Sequence, residues 1–505
     1  MNDPASHLSS LTAEVGLQFA LLIDVEQDDR ELLQNLYKWQ QTLAEEVEWI
    51  PSVFRPDLLS LTGVDSTPCF AAFLNDGRPV FAQTVTTLSV IVERYQSLKR
   101  AAKEQPLSIL QLANSVTERR CRPILSAEEP PPLSTMLVQE WLKRIVKQWY
   151  PSKSLTNSDV RIIETVSRFH EQNEVSELLE ASTESLLNTT IEKCPTIIQA
   201  RLLTAAVILY RQRFAGNIET NIYTKELIDF IVKIVASLVN LRDTKSGLIR
   251  TSILENDVST TVSEQSAIAR AFVLAGWVLG DDCWKIADEL LSSIARSAQF
   301  GADGCRLILP DGTERGMMLT DGIQFAEAAL DKYDSTGNTR WLMLADTVSS
   351  LWKTRFVSQT DWLDWFAVGH PLHGTVPALR EQGIFAGISL RLGMITKNER
   401  WSATGEQFLA NTGRFVLEYP RESVSLIEGM IRLFGRDLTL CGPWIDKGLT
   451  AEWRVALLNW IPDIRIDWRT PSPTPVVQIG TQIVDVANPL DLHRLFLRKE
   501  RRRKA

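Results

Sequence analysis

The chain has 505 residues, too many for one ordinary hydrophobic core, so its length predicts two or more domains. An apolar fraction of 44% and a charged fraction of 23% are typical of a water-soluble globular protein. The net charge of -8 argues against nucleic acid as the main partner.

Targeting and redox signals are missing from the sequence. No apolar run approaches the ~20 residues that span a bilayer, so no transmembrane segment is expected. The start, Met1 to Pro4, lacks the basic and apolar regions of a signal peptide. Six scattered cysteines form no Cys-x-x-Cys pair, which argues against a disulfide scaffold, a zinc ribbon and a dithiol centre. We therefore expect a cytoplasmic protein with no cofactor and no metal site.

Residues 19–120 are predicted to form a small α/β domain. Apolar runs at Phe19–Val25 and Thr67–Leu74 predict buried strands, and Asp76-Gly77 predicts a tight turn into a returning strand. A strand that begins with Thr-Pro, a turn, a partner strand and a helix form the second half of a thioredoxin fold, in which Pro68 would be a cis-proline. Few residues precede the first strand and none is a cysteine, so we expect a truncated thioredoxin-like domain without its redox element.

A repeated pattern organises residues 134–435. An apolar helix ends in a short polar turn, and a new helix begins near Trp284, Trp341 and Trp401. With Tyr223 in the same slot, the intervals are about 61, 57 and 60 residues, the length of one helical hairpin with its connection. Apolar spacing then predicts six hairpins, which either close into an (α/α)6 barrel or form an open solenoid. The twelve predicted helices are 134–149, 155–171, 174–191, 196–214, 224–240, 263–279, 284–299, 321–336, 339–355, 377–393, 399–416 and 420–434.

The predicted fold class is mainly α with α+β ends. The proline-rich stretch before Ser134 predicts a stiff linker, and alternating strand-like and helical patterns after Phe434 predict a small α/β cap. The predicted divisions are a lead at 1–18, the thioredoxin-like domain at 19–120, a linker at 121–133, the barrel at 134–435, the cap at 436–497 and a basic tail at 498–505.

Four short segments occur in the order found in a known family. The segment from Ser263 to Asp281 resembles that family's Ser-Trp-Asn-Gly helix, and Leu319 to Asn338 resembles its Asp-Asp-Tyr-Ala helix. Tyr419-Pro420 matches a Tyr-Pro motif, and Ile191 to Cys194 is similar to a His-Phe-Glu-Lys-Met segment. The chain thus resembles the spermatogenesis-associated protein 20 family, which joins a thioredoxin-like domain to a six-hairpin barrel of the glycosidase and sugar-epimerase type. The family's Trp-His-x-Cys-His-Trp-Cys motif has no counterpart, which implies a shortened, divergent member.

Sugar chemistry in such a barrel requires paired carboxylates or an acid/base pair. Carboxylates at helix starts are also favoured by the helix dipole alone, and the tryptophans of the loop at 360–374 could simply plug the barrel end. The candidate catalytic residues are Glu192, Asp321, Glu327, His370 and His373. The candidate ligand-binding residues are Trp362, Trp365, Glu264 and Glu381.

Three functional hypotheses stay open. The first is a non-redox binding or scaffold protein that holds a sugar-like molecule or a protein partner at the barrel mouth, because the cysteine motif and most polar family positions are absent. The second is a sugar isomerase, epimerase or glycosidase-like enzyme. The third is a thiol oxidoreductase, for which Cys69 beside the expected cis-proline is the candidate. Nucleotide-binding, metalloprotease and serine-hydrolase motifs are absent from the sequence.

Overall fold

The computed structural model groups the chain into two units. One comprises Met1–Glu129 with Arg355–Ala378, and the other comprises Pro130–Thr354 with Leu379–Ala505. The described residues are 16–23, 28, 30–43, 46–51, 58, 64, 67–120, 133–149, 155–169, 172–215, 222–243, 246–250, 262–301, 304–308, 314–316, 318–357, 363–364, 367–368, 373, 378–434, 438–444, 449–458, 465–468, 470, 472–479, 482–486, 488 and 491. The predicted linker, except Leu133, and the basic tail lie outside them.

The first unit contains a four-stranded sheet in the order β2-β1-β3-β4. Strands β1 and β2 are parallel, whereas β3 pairs antiparallel with both β1 and β4. The Thr67–Pro68 peptide is cis, as predicted. The elements are β1 (Leu17–Ile23), α1 (Arg30–Gln41), β2 (Val47–Pro51), β3 (Cys69–Leu74), β4 (Pro79–Thr84), α2 (Leu88–Glu104) and α3 (Pro106–Arg120).

This sheet extends the domain beyond the expected half. A strand, a helix and a parallel strand precede Cys69, although only the strand and the helix were expected there. Strand β2 has the sequence VEWIP, in which a glutamate and a proline interrupt the apolar pattern, so it gave no strand signal. The thioredoxin-like character of this domain stays a prediction.

The described residues between 134 and 435 contain twelve α-helices, as predicted. A three-stranded antiparallel sheet lies between the seventh and the eighth of these helices and consists of β5 (Ala298–Gly301), β6 (Gly304–Ile308) and β7 (Glu314–Gly316). The helices are α4 (Thr135–Gln148), α5 (Asn157–Val166), α6 (Asn173–Leu187), α7 (Thr196–Ala215), α8 (Ile222–Asn240), α9 (Val262–Leu279), α10 (Asp281–Ser297), α11 (Leu319–Thr336), α12 (Thr339–Phe356), α13 (Leu379–Thr396), α14 (Glu399–Thr412) and α15 (Val424–Phe434).

Alternate helices close into a ring, which decides between the barrel and the solenoid. Helix α5 packs against α7, α7 against α9, α9 against α11, α11 against α13, α13 against α15, and α15 back against α5. The remaining helices, α4, α6, α8, α10, α12 and α14, form the outer layer. Since each inner helix is followed by an outer helix that returns, the six inner helices run in one direction. The fold is an (α/α)6 barrel.

The repeated tryptophans link successive outer helices. The indole Nε1 of Trp341 on α12 donates to Asp288 on α10 at 2.9 Å. One repeat later, Nε1 of Trp401 on α14 donates to Asp346 on α12 at 2.7 Å. The spacing between Trp341 and Trp401 therefore reflects a contact that is repeated in two successive hairpins, with a buried ring and a satisfied indole N–H. Trp284 instead donates to the main-chain oxygen of Val273 on α9 at 2.9 Å.

After the last inner helix the chain forms a small α/β cap, as predicted. Its sheet has the order β11-β10-β8-β9, and α16 (Ala451–Leu458) packs against α9. The indole of Trp468 donates to the main-chain oxygen of Asp334 at 3.2 Å, so the cap contacts α11 near its C-terminal end. The strands are β8 (Leu438–Cys441), β9 (Arg465–Asp467), β10 (Val476–Ile479) and β11 (Gln482–Asp485). None of the described helices is both long and apolar enough to cross a membrane.

Candidate functional site

One face of α11 carries three carboxylates. Glu327, Asp331 and Asp334 are spaced at i, i+4 and i+7, which places them in one stripe along the helix. Their partners come from other inner helices, so this stripe faces the barrel axis. An inner helix of a closed ring has no solvated outer face, and its charges must therefore be neutralised inside the barrel.

Arg161 on α5 joins two of the other inner helices. Its Nη2 donates to Oε2 of Glu327 at 2.6 Å, and its Nη1 donates to Oε2 of Glu428 on α15 at 2.8 Å. Thr165, one turn after Arg161, donates its hydroxyl to the other oxygen of Glu428 at 3.2 Å. The planar guanidinium thus bridges carboxylates from two inner helices that are not neighbours, α11 and α15, a geometry that arginine suits better than lysine.

Two more arginines extend this arrangement around the axis. Arg270 on α9 donates to Asp331 at 2.7 Å and to Glu164 on α5 at 3.2 Å. Arg391 on α13 lies 2.7 Å from Asp331 and donates to Asp334 at 2.6 Å. Ion pairs thus connect α5, α9, α11, α13 and α15. We call the following residues the axial charge network: Arg161, Arg270, Arg391, Glu164, Glu327, Asp331, Asp334 and Glu428.

Water reaches the axis. Between Val262 and Trp277 of α9 the partly exposed residues are Ser263, Ala267, Arg270 and Leu274, and all the others are buried. Their spacing of three and four residues is that of a single helical stripe. Because Arg270 in this stripe pairs with Asp331 and Glu164, the exposed stripe faces the barrel axis, and the barrel contains an accessible cavity.

Gly387 on α13 marks open space in this cavity. It lies one helical turn before Arg391 and therefore on the same face. A Cβ built on Gly387 would meet no described atom within 4 Å, and the residue is partly exposed. The side chain of Asp334, at the other end of the network, is 34% exposed. The interior is therefore a polar cavity rather than a filled apolar core.

The pKa values of four carboxyl groups in the network are shifted in two opposite directions. Burial raises the pKa of Glu428 despite Arg161, and it raises the pKa of Asp334 despite Arg391. Burial also opposes ionisation of Glu164, but Arg270 and Arg161 outweigh it and lower its pKa to about 2. The pKa of Asp331 is lowered in the same way by Arg391 and Arg270. Carboxyl groups whose pKa values are pushed apart in one cavity can serve as acid and base.

The predicted site residues divide between the network and structural roles. Glu327 belongs to the network. Asp321 instead accepts from the main-chain N–H groups of Met318 and Ser263, both at 2.9 Å, so it caps the start of α11 and ties it to the start of α9. This is the helix-start role that the sequence allowed as an alternative.

Glu192, Glu264 and Glu381 form no ion pair with the network in the described part of the chain. Glu192 is exposed on a short 3-10 turn between α6 and α7. Glu264 is buried in the first turn of α9, and Glu381 is buried and accepts from its neighbour Arg380 at 2.8 Å. The functional roles expected for these three residues stay predictions.

The loop at 360–374 carries the four other predicted site residues, Trp362, Trp365, His370 and His373. The segment Arg355–Ala378 groups with the first unit, not with the barrel unit. Trp362, Trp365 and His370 lie outside the described residues, and His373 is partly exposed in a turn. No set of three or more metal-ligating side chains occurs among the residues that are described.

A signal for the missed residues is present in the sequence. Arg270, Asp331 and Arg391 are separated by 61 residues and by 391 − 331 = 60 residues. These intervals match those of the repeated tryptophans. Charges that recur at the hairpin period within apolar helices occupy equivalent positions on the inner ring, and this pattern would have identified the network.

No protein-family model matches the chain, and no curated protein matches its sequence. Several solved structures are similar to part of it. The unsaturated glucuronyl hydrolase of Bacillus sp. GL1 is 11% identical with a TM-score of 0.45, over 59% of this chain and 95% of that one. A D-mannose isomerase is 11% identical with a TM-score of 0.46, over 61% and 100%. The GH76A alpha-1,6-mannanase of Salegentibacter sp. HEL1_6 is 10% identical with a TM-score of 0.44, over 59% and 99%.

Proposed function

We propose that this protein binds a sugar-like ligand inside its helical barrel, at the axial charge network. The observation that carries this proposal is the accessible cavity beside Gly387, lined by oriented guanidinium and carboxylate groups. A polyhydroxylated ligand needs many donors and acceptors at fixed positions, and bidentate arginine–carboxylate pairs supply both. The family resemblance, which also stays a proposal, supports a carbohydrate-directed barrel.

The experiment fills the cavity without touching the charged residues. Gly387→Leu places a side chain in the open space at the axis, whereas Ala403→Leu adds the same side chain on the exposed face of α14. Purified proteins are titrated with neutral sugars, uronates, sugar phosphates and amino sugars by calorimetry and thermal shift. A ligand that binds only the folded state raises the melting temperature by mass action.

We expect at least one sugar class to bind the wild-type protein and Ala403→Leu equally, and to bind Gly387→Leu at least tenfold more weakly. Binding that survives in Gly387→Leu would place the ligand elsewhere. If no sugar class binds, the sugar proposal is wrong, and a protein partner at the barrel becomes the next hypothesis to test by pull-down with the same two variants.

A second candidate function is catalysis on the bound sugar, by hydrolysis, isomerisation or epimerisation. The observation that favours it is the opposite direction of the pKa changes of Glu428 and Glu164, which both lie near Arg161. Glu428 would hold a proton to higher pH, while Glu164 stays ionised. Glu428→Gln should then keep ligand binding and abolish product formation followed by NMR. Equal turnover in Glu428→Gln would exclude Glu428 as the acid.

We propose no dithiol chemistry for the first unit. Cys69, the candidate beside the cis-proline, is fully buried in β3. Reactive thiols are usually partly exposed and lie in electropositive surroundings. The reduction of insulin by the purified protein tests this point, and activity there would restore the oxidoreductase hypothesis.

A further inference from the structure

The axial face of α11 carries one further polar residue outside the charge network. Between Leu319 and Leu330 of this inner helix, Gln324 is the one partly exposed residue, and all the others are buried. It precedes Glu327 by three residues and Asp331 by seven, so it lies in the same stripe. Because Glu327 and Asp331 pair with arginines of other inner helices, this stripe faces the axis, and Gln324 is exposed to the cavity.

The open space beside Gly387 lies within reach of Gln324. Helix α13 neighbours α11 in the ring, and Arg391 of α13 lies 2.7 Å from Asp331 of α11, so these two residues mark one level along the axis. At a rise of about 1.5 Å per residue, Gly387 lies about 6 Å and Gln324 about 10 Å from this level, both toward the N-terminal ends of their helices. They are thus about one helical turn apart, and a Cβ at Gly387 would meet no described atom within 4 Å.

Helix α9, on the other side of α11, presents small side chains to this space. The ion pair of Arg270 with Asp331 sets the level of α9 against α11. Ser263 and Gln324 stand seven residues before these paired residues, and therefore share the next level. Ser263 and Ala267 are both partly exposed. The wall that α9 contributes beside Gln324 therefore leaves room for a ligand.

The amide of Gln324 is available to such a ligand. Among the residues that the structure describes, its side chain makes no hydrogen bond and no ion pair. A carboxamide offers two N–H donors and one carbonyl acceptor, and these match sugar hydroxyl groups, each of which both donates and accepts. Polar groups that are withdrawn from water are normally hydrogen-bonded, because the loss of hydration is otherwise not compensated.

The charged groups of the network are already paired with one another. Each of its three arginines binds two carboxyl groups, and each of its five carboxyl groups binds at least one arginine. A charged ligand group between Gln324 and Gly387 would lose hydration and would compete with these pairs for its counter-charge. A hydroxyl group instead finds the donors and the acceptor of the amide. This part of the cavity therefore favours an uncharged group.

We propose that Gln324 selects the ligand of the barrel through hydrogen bonds to the hydroxyl groups of an uncharged sugar ring, which occupies the space beside Gly387. This assignment rests on the proposed sugar binding at the axis. It adds the class of sugar and the residue that recognises it. Gln324 is a ligand-binding residue in this assignment, and no step of catalysis is ascribed to it.

Two replacements of Gln324 and one matched control test the assignment. Gln324→Met keeps the length of the side chain and removes its amide, whereas Gln324→Glu keeps the shape and exchanges the N–H donors for a charge. Gln407→Met makes the same change on the exposed face of the outer helix α14. The full-length proteins are titrated by calorimetry with glucose and mannose as uncharged sugars, glucuronate as an acidic sugar and glucosamine as a basic one. Their melting temperatures are also measured without ligand.

We expect at least one uncharged sugar to bind the wild type and Gln407→Met equally, and at least tenfold more tightly than glucuronate or glucosamine does. The same sugar should bind Gln324→Met at least tenfold more weakly, because its hydroxyl groups lose their partner. In Gln324→Glu, the ratio of glucosamine affinity to glucuronate affinity should rise at least tenfold, because the new carboxylate attracts one and repels the other.

Two further measurements separate ligand binding from a structural role. A deoxy sugar that lacks the contacted hydroxyl should bind the wild type more weakly than its parent sugar, but should bind Gln324→Met no more weakly, since both changes remove one interaction. Without ligand, Gln324→Met should melt at the temperature of Gln407→Met, because no hydrogen bond within the described part of the protein is lost.

Three outcomes would overturn the assignment. If a sugar binds Gln324→Met as tightly as the wild type and is lost only in Gly387→Leu, Gln324 does not contact the ligand, and the sugar-binding proposal stands. If glucuronate or glucosamine binds the wild type more tightly than the uncharged sugars do, the class of sugar is wrong, and sugar binding again stands. If no sugar binds the wild type, both proposals fail.

Discussion

Replacement of Arg161 by methionine should destabilise the barrel strongly. Its guanidinium bridges Glu327 and Glu428 at 2.6 and 2.8 Å, and its side chain is 6% exposed. Methionine keeps much of the volume but leaves two carboxylates facing each other without a cation. Breaking a buried pair by removing one partner typically costs about 3–5 kcal/mol.

Protonation can relieve part of this cost. Burial already raises the pKa of Glu428, and loss of the adjacent guanidinium should raise it further. The variant should therefore recover more stability than the wild-type protein as the pH falls toward 5. At neutral pH, a loss of about 3–5 kcal/mol in a barrel of this size corresponds to roughly 6–10 °C in melting temperature.

Thermal unfolding followed by circular dichroism at pH 7 and pH 5 measures both effects. Lys143→Met is the control, because Lys143 is exposed and its contact with Glu140 is 3.9 Å long, so its loss should change stability by about 0.5 kcal/mol or less. The triple variant Arg161→Met, Glu327→Gln, Glu428→Gln should recover most of the loss. This account of the network would be refuted if Arg161→Met melted within 1–2 °C (roughly 0.5 kcal/mol) of the control. It would also be refuted if the triple variant were no more stable than Arg161→Met.

Three further predictions concern packing, pH and thiol reactivity. A Cβ at Gly322 would overlap the buried Trp352 ring, so Gly322→Ala should lower the unfolding free energy by about 1–3 kcal/mol, whereas Gly387→Ala should raise it by about 0.5–1 kcal/mol, both measured by urea denaturation. Glu164 has a pKa of about 2, below its ordinary value, so its stabilisation is present above about pH 4.5 and is lost toward pH 2. Acid unfolding of Glu164→Gln should therefore be less pH-dependent, by up to about 3 kcal/mol. Cys194 is partly exposed and should be alkylated by iodoacetamide before the buried cysteines, as mass spectrometry can show.

The barrel could be predicted from the sequence because each hairpin repeats one set of contacts. The predicted helix at 321–336 is observed at Leu319–Thr336, and the one at 263–279 at Val262–Leu279. Gly337, in the left-handed conformation at φ 71°, ends α11 where the polar turn predicted an end. Closure of the ring could not be predicted from the sequence of each hairpin. A solenoid and a barrel are built from the same hairpins and differ only in whether α15 packs against α5.

The site could not be predicted in the same way, because the neighbouring sequence does not distinguish a carboxylate at a helix start from one that faces the barrel axis. Asp321 and Glu327 lie only six residues apart, yet one caps a helix and the other pairs with Arg161, 166 residues away in sequence. The difference depends on which arginines the closed ring brings near. Only the hairpin period, shared by Arg270, Asp331 and Arg391, carries that information in the sequence.

The network is better explained by a cavity than by stability. Buried ion pairs contribute little over apolar residues of equal volume, and an apolar interior would close onto the space beside Gly387, because cores pack to high density. Guanidiniums held at two points, as Arg391 is by Asp331 and Asp334, are fixed in orientation and cannot collapse into that space. The arginines thus keep the cavity open and lined with oriented donors. Apolar replacement of the pairs would then stabilise the barrel while removing the binding site, the trade-off expected where charged residues serve function.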